Sequence, residues 1–427
     1  MIDPVILKGF RDSMPQEEIP KRKITSILEK GFQSYGFVPI DTPVLEYSSV
    51  LLGKGGGETD KQVFHFEDNG GREVAMRFDL TVPFARFMAA HYSELALPFK
   101  RYHINKVWRG EKPQKGRYRE FIQCDFDIVG VDNVQADFEI LSMMHHSFSL
   151  MGVDGYTFHI SHRGLFNTFL EKEGIADKSI DILRAVDKLM KIGKDSVREI
   201  LIETIGDEKK ADKVLEYITA GGSSFLETLS VLETLSGGSS EGSERLRAIY
   251  ALLSEVGIAD SFVLDPSITR GLDYYTGIVY ETFLDALPSL GSVCSGGRYN
   301  NLASLYTKET LPGVGSSIGL DRLIAGLEEL KSPILQDSSS SDVLIIYRPE
   351  ELAKAEKTAY ELRRKGKRVD VYLEPNHKAK RVFDYAGKNN IPYSISFKDD
   401  EIVLKNHATR ESRVFSSVSE AAEGIEA

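Results

Sequence analysis

A chain of 427 residues is too long for one compact core, so two or three domains are expected. Its net charge of −11 argues against nucleic-acid binding through bulk charge, which is a separate matter from a local basic groove. Its 41% hydrophobic content suits a soluble globular protein, and its two cysteines are too few for a disulfide framework or a zinc site alone. Reduced thiols and a cytoplasmic location follow as expectations, as does the absence of a leader or membrane span, because no apolar run of about 18 residues occurs.

In chain order, residues 8–15 form a lead-in loop. A helix is expected over 17–35, with Ile24, Ile27, Leu28 and Phe32 on one stripe. Gly36 ends it, and the extended stretch 37–46 carries Pro39 and Pro43, which places it at an edge or interface. Residues 51–60, LLGKGGGETD, lack the Gly-Lys-Ser/Thr ending of a phosphate loop and read as a mobile surface loop. Short strands over 63–66 and 74–78 flank an Asp-Asn-Gly-Gly turn. The strand end that follows carries Asp79 and Thr81, an anion and a hydroxyl facing one site.

Residues 107–130, VWRGEKPQKGRYREFIQCDFDIVG, read as two strands joined by a basic loop. From Arg117 the pattern alternates. Tyr118, Ile122, Cys124, Phe126 and Ile128 make a core face, and Arg117, Arg119, Phe121, Gln123 and Asp127 make the other. That second face mixes cations, a ring, an amide and a carboxylate, enough to hold a phosphate, a flat ring and a polar head group. A helix over 131–152 carries His145 and His146, which point apart and read as structural rather than as metal ligands. Residues 156–161 return to a strand.

Residues 164–257 change character. Helical segments at 165–174, 178–192, 195–205, 207–219, 224–235 and 243–256 are separated by Gly-Ser joints. The β pattern resumes at Phe262, and the stretch RGLDYYTGIVYE from Arg270 to Glu281 sets an arginine beside a permissive glycine, with Tyr274 and Tyr275 at the next bend. Residues 293–302 are a glycine-rich strand and turn, and 313–322 lead into a helix. Residues 332–341 read as a serine-rich linker, and 342–427 as a β-α-β-α-β domain with a locally basic surface.

Arg-Gly-Glu, a loop, then Arg-x-Arg-Glu-Phe closely resembles motif 2 of class II aminoacyl-tRNA synthetases. Residues 17–46 are similar to motif 1, the dimerisation motif, and 313–322 to motif 3. The tail Gln-Cys-Asp-Phe-Asp at 123–127 and the peptide Arg-Gly-Leu-Asp-Tyr-Tyr from Arg270 resemble the histidine-specific branch. The departure is Asn300, where the family usually has aspartate.

The resemblance implies an α+β catalytic core, an antiparallel sheet flanked by helices, over 1–163 and 258–331. It makes 164–257 a helical insertion and 342–427 an anticodon-binding α/β domain. It implies ATP-dependent ligation of histidine to its tRNA through a histidyl-adenylate, with ATP as substrate, Mg²⁺ and a homodimer. No protein metal ligands are assigned. Arg109 and Arg270 would be catalytic. Asp79, Leu80, Thr81, Gln123, Asp127, Arg270, Tyr274 and Tyr275 would bind histidine. Arg109, Glu111, Arg117, Arg119, Phe121 and Arg322 would bind ATP, and Gln114 would read the extra 5′ guanosine of tRNA(His). Two other readings are a non-catalytic regulatory subunit of histidine biosynthesis, which typically lacks the Arg270 peptide and the C-terminal domain, and a pure RNA-binding scaffold, which leaves the 117–127 face unexplained.

Overall fold

The structure, a computed structural model, describes residues 1–52, 62–269, 274–336, 338–374 and 378–425. Two compact units divide them: residues 1–11 with 25–330, and residues 12–24 with 331–427. Helix α1, Pro15–Ser34, is followed at Gly36 by a φ of 78°, which only glycine adopts freely.

The larger unit begins with β1 (Val38–Pro39), β2 (Leu45–Tyr47), α2 (Ser48–Leu52), β3 (His65–Glu67), β4 (Glu73–Met76) and α3 (Thr81–His91). It continues through β5 (Phe99–Trp108), β6 (Glu120–Val129), α4 (Val134–Leu150) and β7 (Tyr156–His162). Helices α5 (Arg163–Lys172), α6 (Ser179–Val186), α7 (Leu189–Ile205), α8 (Glu208–Ile218), α9 (Phe225–Ser236) and α10 (Glu241–Glu255) follow. The unit closes with β8 (Phe262–Leu264), β9 (Ile278–Leu284), β10 (Cys294–Arg298), β11 (Gly313–Gly319) and α11 (Leu320–Glu329).

Eight of these strands form one sheet in the order β1-β5-β6-β11-β10-β9-β7-β8. Its six central strands are antiparallel, while β1–β5 and β7–β8 pair in parallel at the two edges, so the sheet is mixed. A parallel pair needs a long crossover, and here the crossover from β7 to β8 is the whole helical stretch α5–α10. One sheet face is apolar: Cys124, Phe126 and Ile128 are buried, and Phe126 meets Phe32 of α1 with ring centroids 5.0 Å apart. Helix α4 covers the same strands, capped by Asn133, whose side chain accepts from the Ala136 N–H at 2.9 Å. Asp137 on α4 is fully buried between Arg298 of β10 and Arg245 of α10, at 2.6 and 2.5 Å. These two ion pairs tie α10 to β10 through α4, and each arginine offsets the cost of burying the carboxylate.

Two local readings of the sequence need correction, and a third falls outside the described residues. Strand β6 starts at Glu120, not Arg117, because Gln114 and Arg117 close a tight turn around Gly116, whose φ is 70°. The helix expected over 178–192 ends at Val186, and a second begins at Leu189 with a kink at Gly193, whose φ is 81°. The stretch 51–60 lies, beyond Leu52, outside the described residues.

The smaller unit holds β12 (Val343–Ile345), α12 (Leu352–Arg364), β13 (Val369–Val371), α13 (Ala379–Lys388), β14 (Tyr393–Lys398), β15 (Glu401–Asn406), β16 (Ser412–Phe415) and α14 (Val418–Glu423). Its sheet order is β13-β12-β14-β15-β16, parallel around β12 and antiparallel beyond β14. Leu362, Ile395 and Ala421 fill one face, and Leu344, Val382 and Ile391 the other. Strand β16 is absent from the expected elements, since three of its four residues are exposed and leave no apolar alternation. Within the serine run, Ser339 and Ser341 are buried, and the Ser339 carbonyl accepts from Arg368 at 2.9 Å.

Candidate active site

The second face of the large sheet is polar, and the strand register shows how it is assembled. Arg101 pairs with Asp127, His103 with Asp125, and Asn105 with Gln123 across β5 and β6. On the other side of β6, Gly315 faces Asp127 and Ser317 faces Asp125. Residues opposite one another share a face, so these side chains form one continuous floor.

Asp127 is almost fully buried at its centre. It makes an ion pair with the buried Arg101 at 2.6 Å, without the alignment of a hydrogen bond, and accepts a hydrogen bond from the Tyr299 hydroxyl. A Cβ on Gly315 would lie 1.9 Å from Asp127 Oδ1, so glycine is what lets this carboxylate lie across the neighbouring strand. The Arg101 guanidinium stacks 4.1 Å from the Phe84 ring centroid. Burial raises the Asp127 carboxyl above its ordinary range, against the pull of Arg101. Asp125 beside it is pushed up to about 7 by burial, with Arg101 opposing and Asp127 reinforcing the rise. A carboxyl held neutral in this way supports stability fully below its ordinary value of 3.8 and loses that support as the pH rises through about 7.

Tyr274 and Tyr275 stand at the edge of this floor with ring centroids 4.7 Å apart, and Tyr274 meets Tyr299 edge-on at 6.2 Å. Asp79 is buried at the start of α3 and accepts from the Val82 N–H at 3.0 Å, with Arg109 and Arg101 in its field. Leu80 is fully buried, so only its main chain can serve a ligand, while Thr81 begins the helix. Gln123 donates to Ser317 Oγ at 2.9 Å. Its Oε1, together with Asp125 Oδ1 and Arg101 Nε and Nη1, is buried without a hydrogen-bond partner among the described residues. Buried polar atoms are normally satisfied. Orphan donors and acceptors together suit a ligand that carries both signs of polarity.

The cations cluster next to this floor. Arg109 Nε donates to the Phe78 carbonyl at 2.9 Å, and its guanidinium sits 5.2 Å from the Phe121 ring. Glu111 lies 4.0 Å from Arg109 and 3.7 Å from Arg117. Arg322 donates to the Ser292 carbonyl at 2.7 Å, and burial, with Arg117 and Arg109 nearby, lowers it to about 10. Glu111 offsets part of the mutual repulsion of these three arginines, and a polyanion would offset the rest. Glu281 on β9 also lies in the field of Arg322.

Two assigned residues sit differently from the rest. The Arg119 side chain bonds the Glu111 and Lys8 carbonyls, at 3.3 and 3.2 Å, rather than standing open. Gln114 is exposed on the turn it forms with Arg117. Arg270 and the three residues after it lie outside the described residues. Sequence reasoning missed Arg101, Asp125, Ser317 and Tyr299. For Asp125 a signal exists, since it shares the parity of Gln123 and Asp127.

A largely antiparallel sheet with an arginine cluster beside a carboxylate-lined pocket, closed by a glycine-rich strand and helix, defines a class II aminoacyl-tRNA synthetase core. The family model for histidyl-tRNA synthetase matches residues 9–323. The histidine–tRNA ligase of Treponema denticola is 53% identical over 409 residues, covering 94% of this chain and 91% of that protein. The Rhodopirellula baltica histidine–tRNA ligase is 45% identical, covering 97% and 95%. The crystal structure of histidyl-tRNA synthetase from Nostoc sp. PCC 7120 superposes with a TM-score of 0.88 at 29% identity, covering 100% of this chain and 99% of that one. The chain belongs to the histidyl-tRNA synthetase family.

Proposed function

We propose that this protein joins histidine to its tRNA in two steps. One oxygen of the histidine carboxylate attacks the α-phosphorus of ATP, the bond to the β-phosphate oxygen breaks, and histidyl-adenylate and pyrophosphate result. A terminal ribose hydroxyl of tRNA(His) then attacks the histidyl carbonyl, its proton is released, and AMP leaves. The observation that carries this reading is the adjacency of two sites of opposite character. Arg109, Arg117 and Arg322 make a polyanion site beside the Phe121 ring, and the Asp127–Tyr299–Tyr274 floor makes a polar pocket next to it. No enzyme nucleophile is required, because positioning and charge stabilisation account for the chemistry.

In this reading Arg109 holds the α-phosphate, Phe121 stacks on adenine, and Arg117 and Arg322 neutralise the outer phosphates. Asp79, the Leu80 main chain, Thr81 and Gln123 hold the α-amino group, a charge-assisted arrangement. Asp127, Tyr274 and Tyr275 hold the imidazole. Arg270 keeps the role its peptide implies, neutralising charge as the carboxylate meets the α-phosphate. Mg²⁺ would be held through one or two protein carboxylates beside the phosphates. Glu111 and Glu281, both in the field of the arginine cluster, fit that need. The ion would supply charge neutralisation of the triphosphate.

The 5′ end of tRNA(His) is assigned to the Gln114 turn, the acceptor arm to the insertion at 164–257, and the anticodon to the domain at 342–427. No helix among the described residues is long and apolar enough to cross a membrane. The location proposed is the cytoplasm, where the tRNA substrate is used. Pyrophosphate exchange with each of the twenty amino acids tests the reading. Exchange is expected with histidine and ATP, without tRNA. Exchange with another amino acid and none with histidine would refute the specificity, and no exchange at all would favour the regulatory-subunit reading.

The assembly is a homodimer built on residues 17–46. Val38, Val44, Leu45, Tyr47 and Phe66 on and beside β1–β3 are exposed apolar side chains, and Tyr47 and Phe66 share one face through Val74 of β4, apolar surface of the kind an interface covers. Sedimentation is expected to give a dimer at micromolar concentration. A stable, active monomer would overturn this.

A further inference from the structure

The N-terminal segment 8–11, which enters none of the roles above, is tied to both halves of the nucleotide site. Its backbone binds the loop before β6. The Arg119 N–H donates to the Gly9 carbonyl at 2.9 Å, and Arg119 Nη1 donates to the Lys8 carbonyl at 3.2 Å. The approach is close: Gly9 has φ 89°, and a Cβ there would lie 2.7 Å from Arg119 Cδ and 2.9 Å from Pro113 Cγ. Phe10 packs near Phe64, with ring centroids 6.2 Å apart.

Arg11 carries the connection further. Its Nη2 donates to Asp321 Oδ1 at 2.8 Å, and its guanidinium lies 4.2 Å from the Tyr118 ring centroid. Asp321 is buried, and its other oxygen accepts from the Ile122 N–H at 2.7 Å. Asp321 is bonded in sequence to Arg322, and Ile122 to Phe121. The same carboxylate therefore joins the segment bearing the adenine-stacking ring to the segment bearing the outer-phosphate arginine. Arg11 supplies the counter-charge that a buried carboxylate needs, and holds Tyr118 as well.

We propose that Arg11 is a positioning residue for ATP. Through Asp321 it fixes the distance between Phe121 and Arg322, and through Tyr118 it holds the loop that carries Arg117. It touches neither histidine nor the reacting atoms. This rests on the assignment of Phe121 and Arg322 to ATP.

The test is steady-state pyrophosphate exchange by the full-length protein, with KM for ATP and for histidine measured separately and thermal midpoints recorded. Arg11→Ala is expected to raise KM for ATP about tenfold, the scale of one lost charge-assisted hydrogen bond. KM for histidine should stay within about twofold, because the bond lies on the nucleotide side only. Arg11→Lys keeps the charge on Asp321 but loses the planar stack on Tyr118, so it should recover part of the ATP affinity. An unchanged KM for ATP in folded Arg11→Ala overturns the inference. So does an equal rise in both KM values with a lowered thermal midpoint, which marks a structural strap. Should Arg11→Ala fail to fold, Arg11→Lys decides: parental KM for ATP overturns the inference, and an ATP-selective rise supports it. Absence of histidine-dependent exchange in the parent would instead defeat the assignment of the site.

Discussion

Arg109→Ala is expected to slow histidyl-adenylate formation by at least about a hundredfold, the usual loss when one preorganised donor is removed from a developing charge. The geometry explains why alanine should cost so much. Arg109 is anchored by its Nε on the Phe78 carbonyl at 2.9 Å, which aims its terminal nitrogens toward Glu111 and the neighbouring arginines. An anchored fork needs little reorganisation as the α-phosphate gains charge, so the effect should fall on turnover more than on KM. Lysine should rescue poorly, since it has neither the Nε anchor nor two parallel donors. Pre-steady-state adenylate formation on purified Arg109→Ala checks this. Activation within a few-fold of the parent would mean that Arg117, Arg322 and Arg270 suffice, and Arg109 would lose its catalytic role.

The face assigned to this chemistry is partly legible in the amino-acid sequence. Phe121, Gln123 and Asp127 alternate with buried Cys124 and Phe126, and period-two alternation is a local property of one strand. The partners of Asp127 are not legible there. Arg101 reads as an ordinary residue in a lead-in strand, and Tyr299 as part of a glycine-rich turn. Only the register of β5 and β11 against β6 brings Arg101 and Gly315 to either side of Asp127. The run of helices between β7 and β8 is visible from its Gly-Ser joints, yet the helix break at 187–188 is not, because Asp and Lys carry no stop signal as glycine does. The lead-in loop shows no periodicity at all. Its place beside Asp321 depends on a contact 310 residues away. Arg270, which heads the most specific peptide in the chain, lies outside the described residues, so its proposed role rests on the resemblance of that peptide.

The pocket floor yields the second large effect. Asp127→Asn preserves shape and removes the charge, and it is expected to raise KM for histidine about a hundredfold, within the range for truncating one partner of a buried charged pair. KM for ATP should stay within about threefold, because Arg109, Arg117 and Arg322 do not bond Asp127. The same change leaves Arg101 fully buried without its counter-charge, and breaking such a pair costs about 3–5 kcal/mol, so the thermal midpoint should fall too. Stability loss alone would mimic a binding defect in a crude assay. Tyr299→Phe separates the two. It removes only the hydroxyl that donates to Asp127 and leaves the Arg101–Asp127 pair in place. It should raise KM for histidine about tenfold, and lower the thermal midpoint less than Asp127→Asn does, because one hydrogen bond is lost but no buried charge is left unpaired. Parental KM for histidine in folded samples of both variants would show that Asp127 serves the sheet rather than the substrate. The imidazole would then have to be held from Tyr274 and Tyr275 alone.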